Sequence, residues 1–217
     1  MSIRVLLADD HRIMREGLRS LLAKEENIEI AGEAENGRQT IELVRKLKPD
    51  VVVMDLRMPD LNGIEATRRI VGHGSPTKVI ALSMHHEKRF VTEMLSAGAS
   101  GYLLKDCALE ELAFAIRTVA GGKVYLSPAV AGVVAEEFAR NTVPPKSSAS
   151  SSLSPREREI LQLLAEGHST KDIASRIHVS IKTVETHRQN IMAKLDLHSI
   201  AELTKYAVRE GLTSLED

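Results

Sequence analysis

Residues 51–55 read Val-Val-Val-Met-Asp, four apolar side chains in a row that stop at a carboxylate. An apolar run without alternation suits a strand covered on both faces. Short β-like runs recur at 3–8, 28–33, 78–82 and 101–104, with helical patterns near 12–23, 38–47, 62–71, 87–97 and 108–121. In the first of these helices Ile13, Leu18, Leu21 and Leu22 fall on one face. Five β/α repeats of this length predict a flavodoxin-like α/β domain, a five-stranded parallel sheet of order 2-1-3-4-5 with helices on both sides. Ligands of such a sheet bind at the carboxyl ends of its strands.

A further helix is expected from Pro128 to about Ala139, with Ser127 as its N-cap. Residues 141–152 are then too rich in Pro and Ser to pack, and read as a linker. Beyond it the period is purely helical. Ser154-Pro-Arg-Glu157 is a capping box with Pro at the first helical position, and Ile160, Leu161 and Leu164 form the apolar face behind it. Gly167 ends that helix, Ser169 caps a short one through Ile177, and His178-Val179 forms a tight turn. Ser180 caps a third helix, 181–195, and a fourth runs from 199 to 209 and stops at Gly211. A short helix, a brief turn and a longer helix make a helix-turn-helix within a small all-α domain of four helices.

The chain has 217 residues, about one and a half domains at roughly 150 residues each. Its 29 basic and 30 acidic side chains nearly cancel, so no global charge points to nucleic acid or membrane. Aromatics make up 3%, too few for stacking platforms on single strands. One cysteine, Cys107, excludes an internal disulfide and suits the reducing cytoplasm. The apolar stretch before Asp9 is too short for a signal peptide. The longest apolar or Gly run, 129–135, is too short to span a bilayer.

The strand ends carry the chemistry. Asp9 and Asp10 end the first predicted strand and Asp55 the third, and the expected strand order makes them neighbours. Three close carboxylates repel unless a cation neutralises them, and hard oxygen ligands suit Mg²⁺. Ser83 ends the fourth strand and Lys105 the fifth. A carboxylate nucleophile, a divalent cation, a hydroxyl and an ammonium are the parts needed to accept a phosphoryl group. A phosphohydrolase using Asp55 would also need a further carboxylate as general acid–base, and Asp9 and Asp10 are taken up by the metal. Arg57 and the His85-His86 pair read as exposed surface residues, and Cys107 as inert.

Residues 1–122 resemble a response-regulator receiver domain through Asp9-Asp10, Asp55-Leu-Arg-Met-Pro59 with Gly63, Ser83, and Gly101-Tyr-Leu-Leu-Lys105. Residues 153–212 resemble a LuxR-type helix-turn-helix through Leu153-Ser-Pro-Arg-Glu-Arg-Glu159, Gly167, Lys182-Thr-Val-Glu-Thr-His187 and Lys194-Leu195. Together they resemble the NarL/FixJ family of two-component response regulators, which are transcription factors rather than enzymes. The resemblance implies a receiver over 1–124, a linker helix and polar linker over 125–152, and a DNA-binding domain over 153–217. It implies phosphorylation of Asp55 by a sensor histidine kinase, with Mg²⁺ held by Asp9, Asp10, Asp55 and the backbone carbonyl of Arg57. Ser83, Tyr102 and Lys105 would then switch on the phosphoryl group. One departure is that Asp106 follows Lys105, where many receivers have Pro.

Lys171–Lys194 holds five basic residues against two acidic ones, a local positive segment inside a neutral half. On the third helix Ile181, Val184, Ile191 and Leu195 are expected to point inward, with His187 partly buried beside them. Lys182, Glu185, Thr186 and Gln189 lie on the opposite face at i, i+3, i+4 and i+7. By the resemblance, Glu185, Thr186 and Gln189 read base edges in double-stranded DNA, while Lys182, Thr183, Arg188 and Lys194 contact phosphates. The last helix resembles the dimerisation helix of this domain type, though its apolar set, Ala201, Leu203, Ala207 and Val208, fits ordinary core packing equally well. A phosphorylated homodimer would read two promoter half-sites.

Overall fold

The structure, a computed structural model, describes residues 2–84, 88–140 and 153–213, without the side chains of 107–110 and 136–140. His85, His86, the polar stretch 141–152 and the Cys107 side chain therefore lie outside the described residues. The chain divides into two compact units, one on Met1–Met58 and Asn62–Pro144 and one on Pro59–Leu61 and Pro145–Asp217.

The first unit runs β1 (Ile3–Ala8), α1 (Arg12–Leu22), β2 (Ile28–Ala34), α2 (Gly37–Leu47), β3 (Val51–Asp55), α3 (Gly63–Gly72), β4 (Lys78–Ser83), α4 (Lys88–Ser96), β5 (Gly101–Leu104), α5 (Ala108–Ala120), β6 (Tyr125–Leu126) and α6 (Pro128–Arg140). All its strands are parallel, in the order β2-β1-β3-β4-β5-β6. The expected order of the first five is present, and a sixth strand extends the sheet. Two residues make no readable apolar run, which is why β6 was not expected.

Alternation across the pleat assigns each strand residue a face. Val5, Leu7, Val51, Val53, Ile80 and Leu82 form one core with Leu18 and Leu22 of α1 and with Leu112, Ile116 and Val119 of α5. Leu6, Val52 and Met54 point the other way and are equally buried, on the side covered by α2 and α3. Fully burying each such side chain contributes about 1.5–3 kcal/mol before entropy is counted. The α1 face differs from expectation: Ile13 is 87% exposed, and the buried stripe is Arg15, Leu18 and Leu22. The spacing of three and four residues is the same, but the stripe begins on an arginine.

Asn36 and Asn62 cap α2 and α3 by accepting from the amides of Gln39 and Glu65. Ser127 precedes α6 as expected, yet its buried hydroxyl has no hydrogen-bond partner among the described residues. Its carbonyl, rather than its side chain, accepts from Val130 and Ala131. At Gly63 the backbone lies so close to β3 that a Cβ would sit 1.9 Å from the carbonyl oxygen of Asp55.

The second unit contains α7 (Pro155–Ala165), α8 (Thr170–Arg176), α9 (Ile181–Leu195) and α10 (Ile200–Arg209). Ser154, Ser169, Ser180 and Ser199 cap them in turn, and Ser154 and Ser199 form full capping boxes. Gly167, at φ +83°, takes the left-handed turn after α7. The core joins Ile160, Leu161 and Leu164 to Ile173, Val184, Ile191, Leu203 and Ala207. One expectation is corrected here: Ile181, at the first turn of α9, is 48% exposed. A helix end extends beyond the partner helices that would cover it.

Gly63→Ala is expected to destabilise the first unit by about 3 kcal/mol, because backbone must move to admit one methyl. Gly17→Ala, on the exposed face of α1 where an added Cβ meets nothing within 4 Å, should instead stabilise it by about 0.5–1 kcal/mol. Urea unfolding of the two variants against the parent measures both.

Candidate functional site

The parallel register sets Ala8 beside Met54, Asp55 beside Leu82 and Ser83 beside Leu104. Residues leaving these strands therefore converge at one end of the sheet. There the Lys105 ammonium donates to Asp9 Oδ2 at 2.7 Å and to Asp55 Oδ2 at 2.8 Å. All three side chains are at least 92% buried. Asp10 is more open and pairs with His11 Nδ1 at 2.8 Å. Asp9, Asp10, His11 and Asp55 each present a possible ligand atom, all within 4.8 Å of one another.

Burial pushes the Asp55 carboxyl up to about 6, Lys105 opposes this, and the charges of Asp9 and Asp10 add to it. Burial alone would lower the Lys105 ammonium, but Asp55 and Asp9 outweigh it and hold the pKa above the ordinary lysine value. One ammonium is thus too little positive charge for the carboxylates around it.

Ser83 is buried at the end of β4, and Tyr102 of β5 is fully buried. The chain after β5 passes through one 3-10 turn, Lys105–Cys107, directly into α5. Arg57 is not the exposed loop residue expected. It is half-buried, with its guanidinium carbon 5.7 Å from the centre of the Phe90 ring.

Two residues of the site were missed in the sequence. His11 lies beside the metal-type donors, and its backbone amide donates to Asp9 Oδ1 at 2.8 Å. Arg15, 5% exposed, donates to the Asp9 carbonyl and to Glu35 Oε1, both at 2.6 Å. It also faces Glu33 Oε2 at 3.4 Å. The available signal was a cation on the Leu18–Leu22 face, since a buried arginine must be paired.

In the second unit, Lys182, Glu185, Thr186 and Gln189 are all exposed on α9, and Val184 and Ile191 are buried on its other side. His187 is partly buried as expected, and its Nδ1 has no hydrogen-bond partner among the described residues. Thr183 and Ser180 share a hydroxyl hydrogen bond of 2.8 Å at the start of the helix. Arg156 pairs with Glu159 within α7 at 2.8 Å and donates to the Ile177 carbonyl at 2.7 Å, which ties α7 to the end of α8. Lys194 has a structural partner that the sequence did not suggest: its ammonium donates to both oxygens of Glu157 at 2.8 Å. Burial works to raise the Glu157 carboxyl, but hydrogen bonds from Lys194 and Ser154 hold it below the ordinary glutamate range.

Residues 5–117 match the response regulator receiver domain, and residues 151–207 match the bacterial regulatory proteins of the luxR family. The chain belongs to the LuxR-type DNA-binding response regulators. The family is one of transcriptional regulators, not enzymes. The regulator is 39% identical to response regulator GacA of Pseudomonas aeruginosa over 212 residues, 97% of each chain. It is 37% identical to response regulator UvrY of Escherichia coli K12 over 216 residues, covering 99% of this chain and 97% of that one. Among solved structures it resembles two RcsB dimers bound to two parallel DNAs, at 28% identity and a TM-score of 0.59, over 95% of this chain and 98% of that one.

The raised Asp55 value sets a pH dependence. Its folded pKa exceeds the ordinary value, so the cost of the buried charge is absent at pH 3–4, grows as pH rises, and is complete above about 6. Asp55→Asn should therefore stabilise the metal-free regulator at pH 7.5 by about 1–3 kcal/mol, with the gain vanishing towards pH 4. Thermal unfolding in chelator across that range measures the difference.

Proposed function

We propose that Asp55 is the phosphoacceptor of a two-component relay, and that its phosphorylation by a sensor histidine kinase governs DNA binding through the second unit. The observation that carries this reading is the buried Lys105 ammonium shared between Asp9 and Asp55. A phosphoryl group on Asp55 would bring new acceptor oxygens within reach of the same ammonium. In the transfer a phosphorus–nitrogen bond to a kinase histidine breaks and a phosphorus–oxygen bond to Asp55 forms, and the released imidazole takes up a proton.

Asp9, Asp10 and Asp55 supply hard oxygen donors close together and short of positive charge, a set that fits Mg²⁺. With the Arg57 carbonyl these residues would hold the ion, which supplies charge neutralisation and orients the phosphoryl oxygens. Ser83 and Tyr102 are the buried groups assigned to sense the new charge, Ser83 by donating its hydroxyl and Tyr102 by its packing. Arg15 keeps Asp9 in place through its carbonyl.

On α9, Glu185, Thr186 and Gln189 are assigned to base edges, and Lys182, Thr183 and Arg188 to phosphates. Lys194 spends two of its three N–H groups on Glu157, leaving one for a phosphate. The similarity to RcsB dimers on DNA supports a homodimer reading paired half-sites. The domain limits 1–124, 125–152 and 153–217 are part of this reading, as is a cytoplasmic location. No helix among the described residues is long and apolar enough to cross a membrane.

Acetyl phosphate with Mg²⁺ should label the parent chain and raise its affinity for promoter DNA. Asp55→Asn should abolish both effects, and a retained rise in DNA affinity would sink the mechanism. Lys182→Ala should lower the slope of log affinity against log salt by about 1 and weaken all sequences alike. Gln189→Ala should cost about 1–3 kcal/mol and relax preference at one base pair. Fluorescence anisotropy over a salt series separates the two.

A further inference from the structure

A cavity of about 340 Å³ opens between α2, α3 and the segment that enters β4. It lies at the amino-terminal ends of the strands, since Thr77 in its wall immediately precedes β4, whereas Asp55 closes the opposite end of β3. Ile41, Val44 and Ile70 make an aliphatic wall. Arg45, Lys48, Arg69 and His73 surround it, and the lining contains no carboxylate.

Basic residues near helix ends often serve only to complement the last carbonyls. At the end of α2 that task is carried by Arg4. The Leu47 and Lys48 carbonyls at the end of α2 accept from the Arg4 guanidinium at 2.5 and 3.4 Å. At the end of α3 the Arg69 and Val71 carbonyls accept from the amides of His73 and Gly74, and the His73 ring, with Nδ1 2.5 Å from the Arg69 carbonyl, is taken up there as well. Arg45 and Lys48 have no side-chain partner among the described residues. Like charges gathered beside an apolar recess repel one another, and an anion between them relieves that cost.

We propose that this cavity binds a short aliphatic carboxylate, with its tail against Ile41, Val44 and Ile70 and its headgroup between Arg45 and Lys48. The wall is aliphatic and the lining holds no Phe, Tyr or Trp, which favours an alkyl chain over a planar ligand. The volume is that of a small-molecule site, and guanidinium forks match carboxylates in two-point hydrogen bonding. The site is separate from the acidic pocket, so its occupancy does not require Asp55.

Methyl NMR of the full chain titrated with octanoate, octanol and acetate tests the assignment. Octanoate should shift the Ile41, Val44 and Ile70 methyls saturably, with a dissociation constant below about 1 mM, and octanol should bind at least about tenfold more weakly. Acetate should leave these methyls unmoved. Arg45→Gln with Lys48→Gln should reduce octanoate to the octanol level at unchanged melting temperature. Ser75→Phe, at the half-buried rim, should block both ligands, and Asp55→Asn should change neither. Equal binding of octanol and octanoate, unsaturable or scattered shifts, or undiminished octanoate binding by the double variant would overturn the proposal.

Discussion

An ammonium held between two carboxylates at the end of a parallel sheet is the constraint on which the first unit turns. Lys105 can reach both Asp9 and Asp55 only because β1, β3 and β5 end at one level. That level is set by apolar side chains on both faces of the sheet, since a slip of one residue would exchange the faces of every side chain in a strand. Gly63 serves the same end, by letting α3 start against the Asp55 carbonyl. The buried charges are under-neutralised as a result, and the stability of the fold is coupled to whatever arrives there to balance them.

Much of this was legible in the sequence, because strands buried on both faces leave unbroken apolar runs and the polar groups that follow them mark the strand ends. Asp9, Asp55, Ser83 and Lys105 were placed in that way. Arg15 was not, because apolar periodicity scores its position as a gap while Ile13 scores as core, and only the pairing with Asp9 and Glu35 explains the exchange. β6 escaped because two residues carry no period. Arg57 is a loop residue as expected, but the Phe90 ring beside it makes it half-buried rather than exposed, a contact distant in sequence that no local pattern announces.

The second unit shows the same division. Its four serine caps and its glycine stops could be read directly, since each motif is local. The pairing of Lys194 with Glu157 joins residues 37 apart in sequence, and local patterns say nothing about it. The carboxylate that completes the cap of α7 also grips the far end of α9, so the presentation of the recognition helix depends on a residue outside the helix-turn-helix itself. A charge that looked available for DNA is thereby largely given to orientation.

The six-stranded sheet has two unequal margins. β6 offers only two residues, so that side gives little backbone for another chain to pair with. β2 is seven residues long and would be an open template, but it carries Glu29 and Glu33, and Glu33 is within reach of Arg15 and Arg19. A strand approaching that margin meets charge on both glutamates. The fold thus keeps its one long unpaired margin from recruiting a neighbouring strand.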